Sequence, residues 1–144
     1  MKVLVINGPN LNLLGLREPA LYGSQNFASL QQFICESARQ LGVEVELFQS
    51  NHEGAIVDAI QGAYNRMDAI LINPAAYTHT SVAILDALKA VALPTVEVHL
   101  TDISTREEFR RFSFISLYAQ RTICGHGFEG YKQGLRFLKE NYDK

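Results

Sequence analysis

Apolar positions along the chain alternate between two rhythms. Lys2 to Ile6 is a continuous β-branched run of the kind covered on both faces, and Val43 to Phe48, Ala69 to Ile72, Pro94 to Val98 and Arg121 to Cys124 supply four more short strand segments. Between them the apolar residues recur at helical spacing: Phe27, Leu30, Ile34, Ala38 and Leu41, then Ile56, Ile60, Ala63, Tyr64 and Met67, then Ile84, Leu85, Leu88 and Val91, and last Phe128, Tyr131, Leu135, Leu138 and Tyr142. Gly42 stands where a helix C-cap belongs and Ser81 where an N-cap belongs. Thr101 to Arg111 is polar and charge-rich, and Phe112 to Tyr118 carries no clear period.

Strands that alternate with helices form βαβ units, hence a parallel sheet with helices on both faces. For this length and strand count the expected fold is α/β, a flavodoxin-like doubly wound sheet of order 2-1-3-4-5 in three layers, forming a single domain over residues 1–144. In such a sheet, ligands bind beyond the carboxyl ends of the strands. There the chain places Asn7 and a long connection, then Asn73-Pro74-Ala75-Ala76-Tyr77-Thr78-His79, then His99-Leu100-Thr101. The connection Asn7 to Gly23 is far longer than a strand-to-helix turn needs, and long connections inside a compact domain are commonly lids or binding loops. Residues 16–24 are the expected lid.

Composition narrows the partners. A formal charge of −2 and a pI near 6.1 argue against a polyanion such as nucleic acid, while a small anionic ligand needs only a local cationic cluster. Hydrophobic residues at 47% and charged residues at 19% suit a globular domain with a real core. Cys35 and Cys124 have no metal-ligand or disulfide spacing. Without a signal-like start or a membrane-length apolar run, the expectation is a cytoplasmic protein with no membrane contact.

The chemistry at that sheet edge is acid-base in character. Tyr22, His79 and His99 can move protons, Arg17, Arg106 and Arg110 supply positive charge, and Asn10 and Asn73 supply amides. No nucleophile elbow, P-loop or dinucleotide fingerprint occurs. The lysines fall at an end or on expected helices, which disfavours a Schiff base. A tyrosine acts as a base only if its phenol, with an ordinary pKa of about 10, loses its proton, and Arg17 on the same loop could supply the cation that allows this. Bland readings stand beside these: Tyr22 as a packing residue, His79 and His99 as structural hydrogen-bonders, Arg111 on a solvated face. A metal site from His52, Glu53, His79, Glu97 and His99 has no supporting spacing.

INGPNLNLLG, the REP and YG after it, FQSNHEGAIVDAI, INPAAYTHTSVAILDAL, PTVEVHL, REEFR and GFEGY together resemble the type II 3-dehydroquinate dehydratases, nearly end to end. The resemblance implies a carbon-oxygen lyase that dehydrates 3-dehydroquinate to 3-dehydroshikimate by anti elimination through an enolate. It implies no cofactor and no metal, and a place in the shikimate pathway or in quinate catabolism. Carried over by position, it makes Tyr22 the base, Arg17 the cation beside it, His99 the acid, tuned by Glu97, and Asn10 the holder of a water at the enolate oxygen. Asn73 and the backbone N–H groups of Leu100 and Thr101 would bind the substrate carboxylate, and His79 and Arg110 its hydroxyls. It further implies a homo-oligomer, a dodecamer built from trimers, with Asp86 donated across subunits.

The chain departs from the family pattern in places. Asp102 replaces an amide, Ala75 stands where glycine is common, and GHGFEG replaces a more apolar loop. Two other readings remain: a flavin or nucleotide binder, disfavoured by the missing phosphate loop, and a silent oligomeric scaffold, motivated by Asp102.

Overall fold

A computed structural model describes residues 1–16 and 25–144. Strands β1 (Lys2–Asn7), β2 (Glu44–Gln49), β3 (Ala69–Asn73), β4 (Thr95–His99) and β5 (Arg121–Cys124) form one five-stranded sheet in the order β2-β1-β3-β4-β5. Each neighbouring pair is parallel. Among the described residues the long helices are α1 (Phe27–Leu41), α2 (Glu53–Gly62), α3 (Val82–Val91) and α4 (Glu129–Tyr142). This is the doubly wound order expected from the alternation.

The continuous apolar runs are explained by cover on both faces. Val3 and Val5 of β1 point into a core shared with Leu30 and Ile34 of α1 and Tyr131, Leu135 and Leu138 of α4. Leu4 and Ile6 point the other way, against Ile56 and Ile60 of α2 and Ile84 and Leu88 of α3. Burying each such side chain stabilises the fold by about 1.5–3 kcal/mol, so neither face tolerates a polar residue cheaply. The edge strand β2 differs, with Glu44 and Glu46 exposed in alternation with half-buried Val45 and Leu47. Charges on an edge discourage pairing with another strand.

Local chemistry sets the helix ends. Asn26 accepts the Ser29 N–H at 2.8 Å and Ser29 Oγ accepts the Asn26 N–H at 2.8 Å, a reciprocal cap that starts α1. Gly42 ends it at φ 69°, and Ser81 caps α3 through the Ile84 N–H at 2.9 Å. The second helix is shorter than its apolar period, which runs on to Met67. It ends at Gly62, whose carbonyl accepts Arg66 Nε at 3.0 Å, and Asn65 then turns the chain at φ 59°. Ala63 and Met67 stay buried through this turn, while Tyr64 is left 60% exposed. The polar stretch after β4 forms short 3-10 turns at Ile103–Thr105, Glu108–Arg110 and Ile115–Leu117.

Candidate active site

The carboxyl edge of the sheet is built by close seating of the loops after β1 and β3. Asn7 and Asn73 are register partners at the strand ends, and the Gly8 N–H donates to the Asn73 carbonyl at 2.8 Å. A Cβ on Gly8 would stand 2.4 Å from the Pro74 carbonyl oxygen, so only glycine lets the loops meet. Two residues later Asn10 takes a left-handed conformation at φ 70°, which asparagine adopts more readily than most residues. Its N–H donates to Asn51 Oδ1 at 3.0 Å, while the Asn51 carbonyl accepts the Tyr77 hydroxyl at 2.7 Å. Ala75 is also left-handed, at φ 52°, which explains why glycine suits that position.

These loops wall a cleft of about 120 Å³. Asn10, Asn73, His79, His99, Leu100, Thr101 and Arg110 all line it. Arg106, Ile103 and the Ala75–Ala76 turn line it as well. Arg17 and Tyr22 lie outside the described residues. Asp86 is exposed on α3 and is not part of this chain's own cleft. The departure at Asp102 proves local: its carboxylate accepts the Ser104 N–H at 3.0 Å and the Ser104 hydroxyl at 2.6 Å, capping a turn instead of facing the cleft. Those bonds hold its carboxyl below the usual range.

The strongest electrostatic feature lies beneath His99. Glu97, fully buried in β4, bonds His99 Nε2 through Oε2. Thr78 and Ser113 hydroxyls also donate to Oε2, each at 2.7 Å, and Ser116 donates to Oε1 at 2.5 Å with Thr122 at 3.3 Å. Burial by itself would raise the Glu97 pKa. The His99 hydrogen bond and charge, with the Ser116 and Thr78 hydroxyls, overcome it and lower the carboxyl to about 2. Glu97 is therefore anionic at neutral pH, and its pairing with Nε2 leaves His99 Nδ1 for a ligand. Second to this, His79 Nδ1 lies 2.8 Å from the Phe112 carbonyl, which can only accept, so that nitrogen carries the hydrogen.

The cations are differently held. Arg106 Nη1 donates to Thr101 Oγ1 at 3.4 Å. Arg110 Nε lies 2.8 Å from Glu107 Oε2, yet out of line, so this buried nitrogen has no hydrogen bond among the described residues. Its guanidinium also stacks over Phe109, 5.0 Å from the ring centre.

Sequence reasoning did not find the hydroxyl cage around Glu97. Thr78, Ser113, Ser116 and Thr122 come from three separate stretches, and no spacing links them. Among the described residues, no group of three or more His, Cys, Asp or Glu side chains is placed to hold a metal ion, and no helix is long and apolar enough to cross a membrane.

Comparison with known proteins agrees with this arrangement. Residues 1–139 match the model of the family described as dehydroquinase class II. A 3-dehydroquinate dehydratase of Clostridium acetobutylicum is 51% identical over 144 residues, covering 100% of both chains. A catabolic 3-dehydroquinase of Verticillium alfalfae is 54% identical over 136 residues, 94% of this chain and 91% of that one. In structure, the type II dehydroquinase of Butyrivibrio crossotus superposes with a TM-score of 0.92 at 48% identity, covering 96% of this chain and 97% of its own.

Proposed function

The chain belongs to the class II dehydroquinases, and from that premise we propose that it dehydrates 3-dehydroquinate to 3-dehydroshikimate by anti elimination through an enolate. A 3-dehydroquinate dehydratase is a hydro-lyase, and relatives carry both the plain and the catabolic name, so the reaction serves the shikimate pathway or quinate breakdown.

In this reading the Tyr22 phenolate, stabilised by Arg17, removes the C2 proton, and the electron pair passes into the carbonyl to give the enolate. A water held by Asn10 stabilises the enolate oxygen as charge develops there. Collapse of the enolate expels the hydroxyl group, which takes a proton from His99 and leaves as water. The observation that carries the assignment of the acid is the His99–Glu97 pair at the end of β4. Glu97 holds Nε2 and fixes the ring, and Nδ1 is the nitrogen left to deliver the proton. Asn73 and the Leu100 and Thr101 N–H groups bind the carboxylate, with His79 and Arg110 on the hydroxyls. Asp86, exposed on α3 and outside its own cleft, serves the cleft of a neighbouring subunit in a trimer-based dodecamer.

Among the described residues no lysine lines the cleft, and this supports an elimination without a Schiff base. The test is direct. Purified protein mixed with 3-dehydroquinate should generate the ultraviolet absorbance of the conjugated enone, and Tyr22→Phe should lower kcat by about a hundredfold or more with an unchanged circular dichroism spectrum. Near-wild-type turnover in that variant would remove Tyr22 from its role, and absence of turnover by the wild type between pH 6 and 9 would remove the reaction.

A further inference from the structure

Helix α4 stands behind the sheet and contributes no residue to the cleft wall, yet it buries a phenol at the sheet's reactive edge. Tyr131 is fully buried. Its hydroxyl donates to Asn7 Oδ1 at 2.5 Å and lies 2.9 Å from Asn73 Nδ2. The direction of each bond is forced. The Ala75 N–H, 3.1 Å from Asn73 Oδ1, can only donate, so the oxygen of that amide must face it. The nitrogen then faces Tyr131, and an amide nitrogen can only donate. The phenol must accept there, and its single proton goes to Asn7.

We infer that Tyr131 is a positioning residue that locks the Asn73 amide with its remaining N–H available to the substrate carboxylate. The inference rests on the reading of Asn73 as a carboxylate ligand and deepens it. An Asn side chain turned the other way would present a carbonyl oxygen to an anion and repel it. Ala75 fixes the oxygen end of the amide and Tyr131 receives its nitrogen end, so rotation breaks the Ala75 bond and forces the Tyr131–Asn7 bond to reverse, in a buried setting where unmade hydrogen bonds are costly. The register of Asn7 against Asn73 places the acceptor of the phenolic proton on the adjacent strand, which closes the lock from β1. The signal was present in the sequence as Tyr131, but at that position its period marks only a core residue.

Tyr131→Phe keeps the ring packed and removes the hydroxyl. The expected result is a rise in KM for 3-dehydroquinate of about tenfold with kcat within about twofold, since the carboxylate is bound equally in ground and transition states. Calorimetric Kd for 3-dehydroquinate should rise in parallel. An analogue with hydroxymethyl in place of the carboxylate should bind wild type and variant alike. Asn7→Ala, which removes the phenol's acceptor from the other side, should repeat the pattern and serves if Tyr131→Phe does not fold. In an Asn73→Ala background Tyr131→Phe should have no further effect on KM. Unchanged KM and Kd in both single variants would overturn the inference, as would equal weakening of the carboxylate-free analogue. Wild type that neither turns over nor binds 3-dehydroquinate would instead refute the proposed function, and the inference with it.

Discussion

Replacing Glu97 with Gln tests the electrostatics at the base of the cleft. The carboxyl is lowered from 4.5 to about 2, against the burial that opposes ionisation. That difference corresponds to about 3 kcal/mol of folded-state stability. A lowered pKa means that the unfolded chain takes up the proton first as the solution is acidified. The contribution is therefore fully present above about pH 4.5 and is lost as the pH falls toward 2, with about 2 kcal/mol of the loss expected between pH 6 and pH 3. Glu97→Gln keeps the shape, and the Thr78, Ser113, Ser116 and Thr122 hydroxyls can turn to meet an amide, but the charge is gone. The assay is urea unfolding of both proteins at fixed protomer concentration from pH 7 to pH 3. The wild-type advantage should shrink by about 2 kcal/mol across that range. Parallel curves would refute the argument, because they would mean that the native state does not hold Glu97 ionised more firmly than the unfolded chain does.

Two backbone positions give further tests, alongside the Tyr22 and Tyr131 variants. Gly8→Ala would drive a Cβ to 2.4 Å from the Pro74 carbonyl oxygen and force the loops after β1 and β3 apart. Thermal or urea unfolding should report a loss of about 3 kcal/mol, with weaker binding of 3-dehydroquinate because Asn10 and Asn73 are displaced relative to each other, and a loss below about 0.5 kcal/mol would count against the close seating. Ala75→Gly relieves a left-handed alanine at φ 52°, and a gain in stability of about 1 kcal/mol is expected from the same measurement. A loss there would show that the alanine conformation carries no such cost.

The alternation of strand-like and helix-like periods determined the layered architecture, because residue periods of two and 3.6 allow few other ways to bury those faces. It also placed Asn73, His79, His99, Leu100 and Thr101 at one edge, since strand ends in a parallel sheet share a side. Asn10 and Arg110 stood out by chemistry alone as an amide and a cation near that edge, but only the family resemblance gave them roles, as their loops carry no period. The apolar period overruns the end of α2 because it continues through a turn that keeps its residues against the core, as Ala63 and Met67 do. Asp102 shows a related limit: a charge beside a ligand-binding stretch says nothing of direction until a Ser104 donor is seen to claim it. What only the tertiary structure decided are the contacts between groups far apart in the chain. The hydroxyls that surround Glu97 and the Tyr131 phenol that orients Asn73 act through directional hydrogen bonds, and their partners are chosen by packing across the sheet and not by any spacing along the chain.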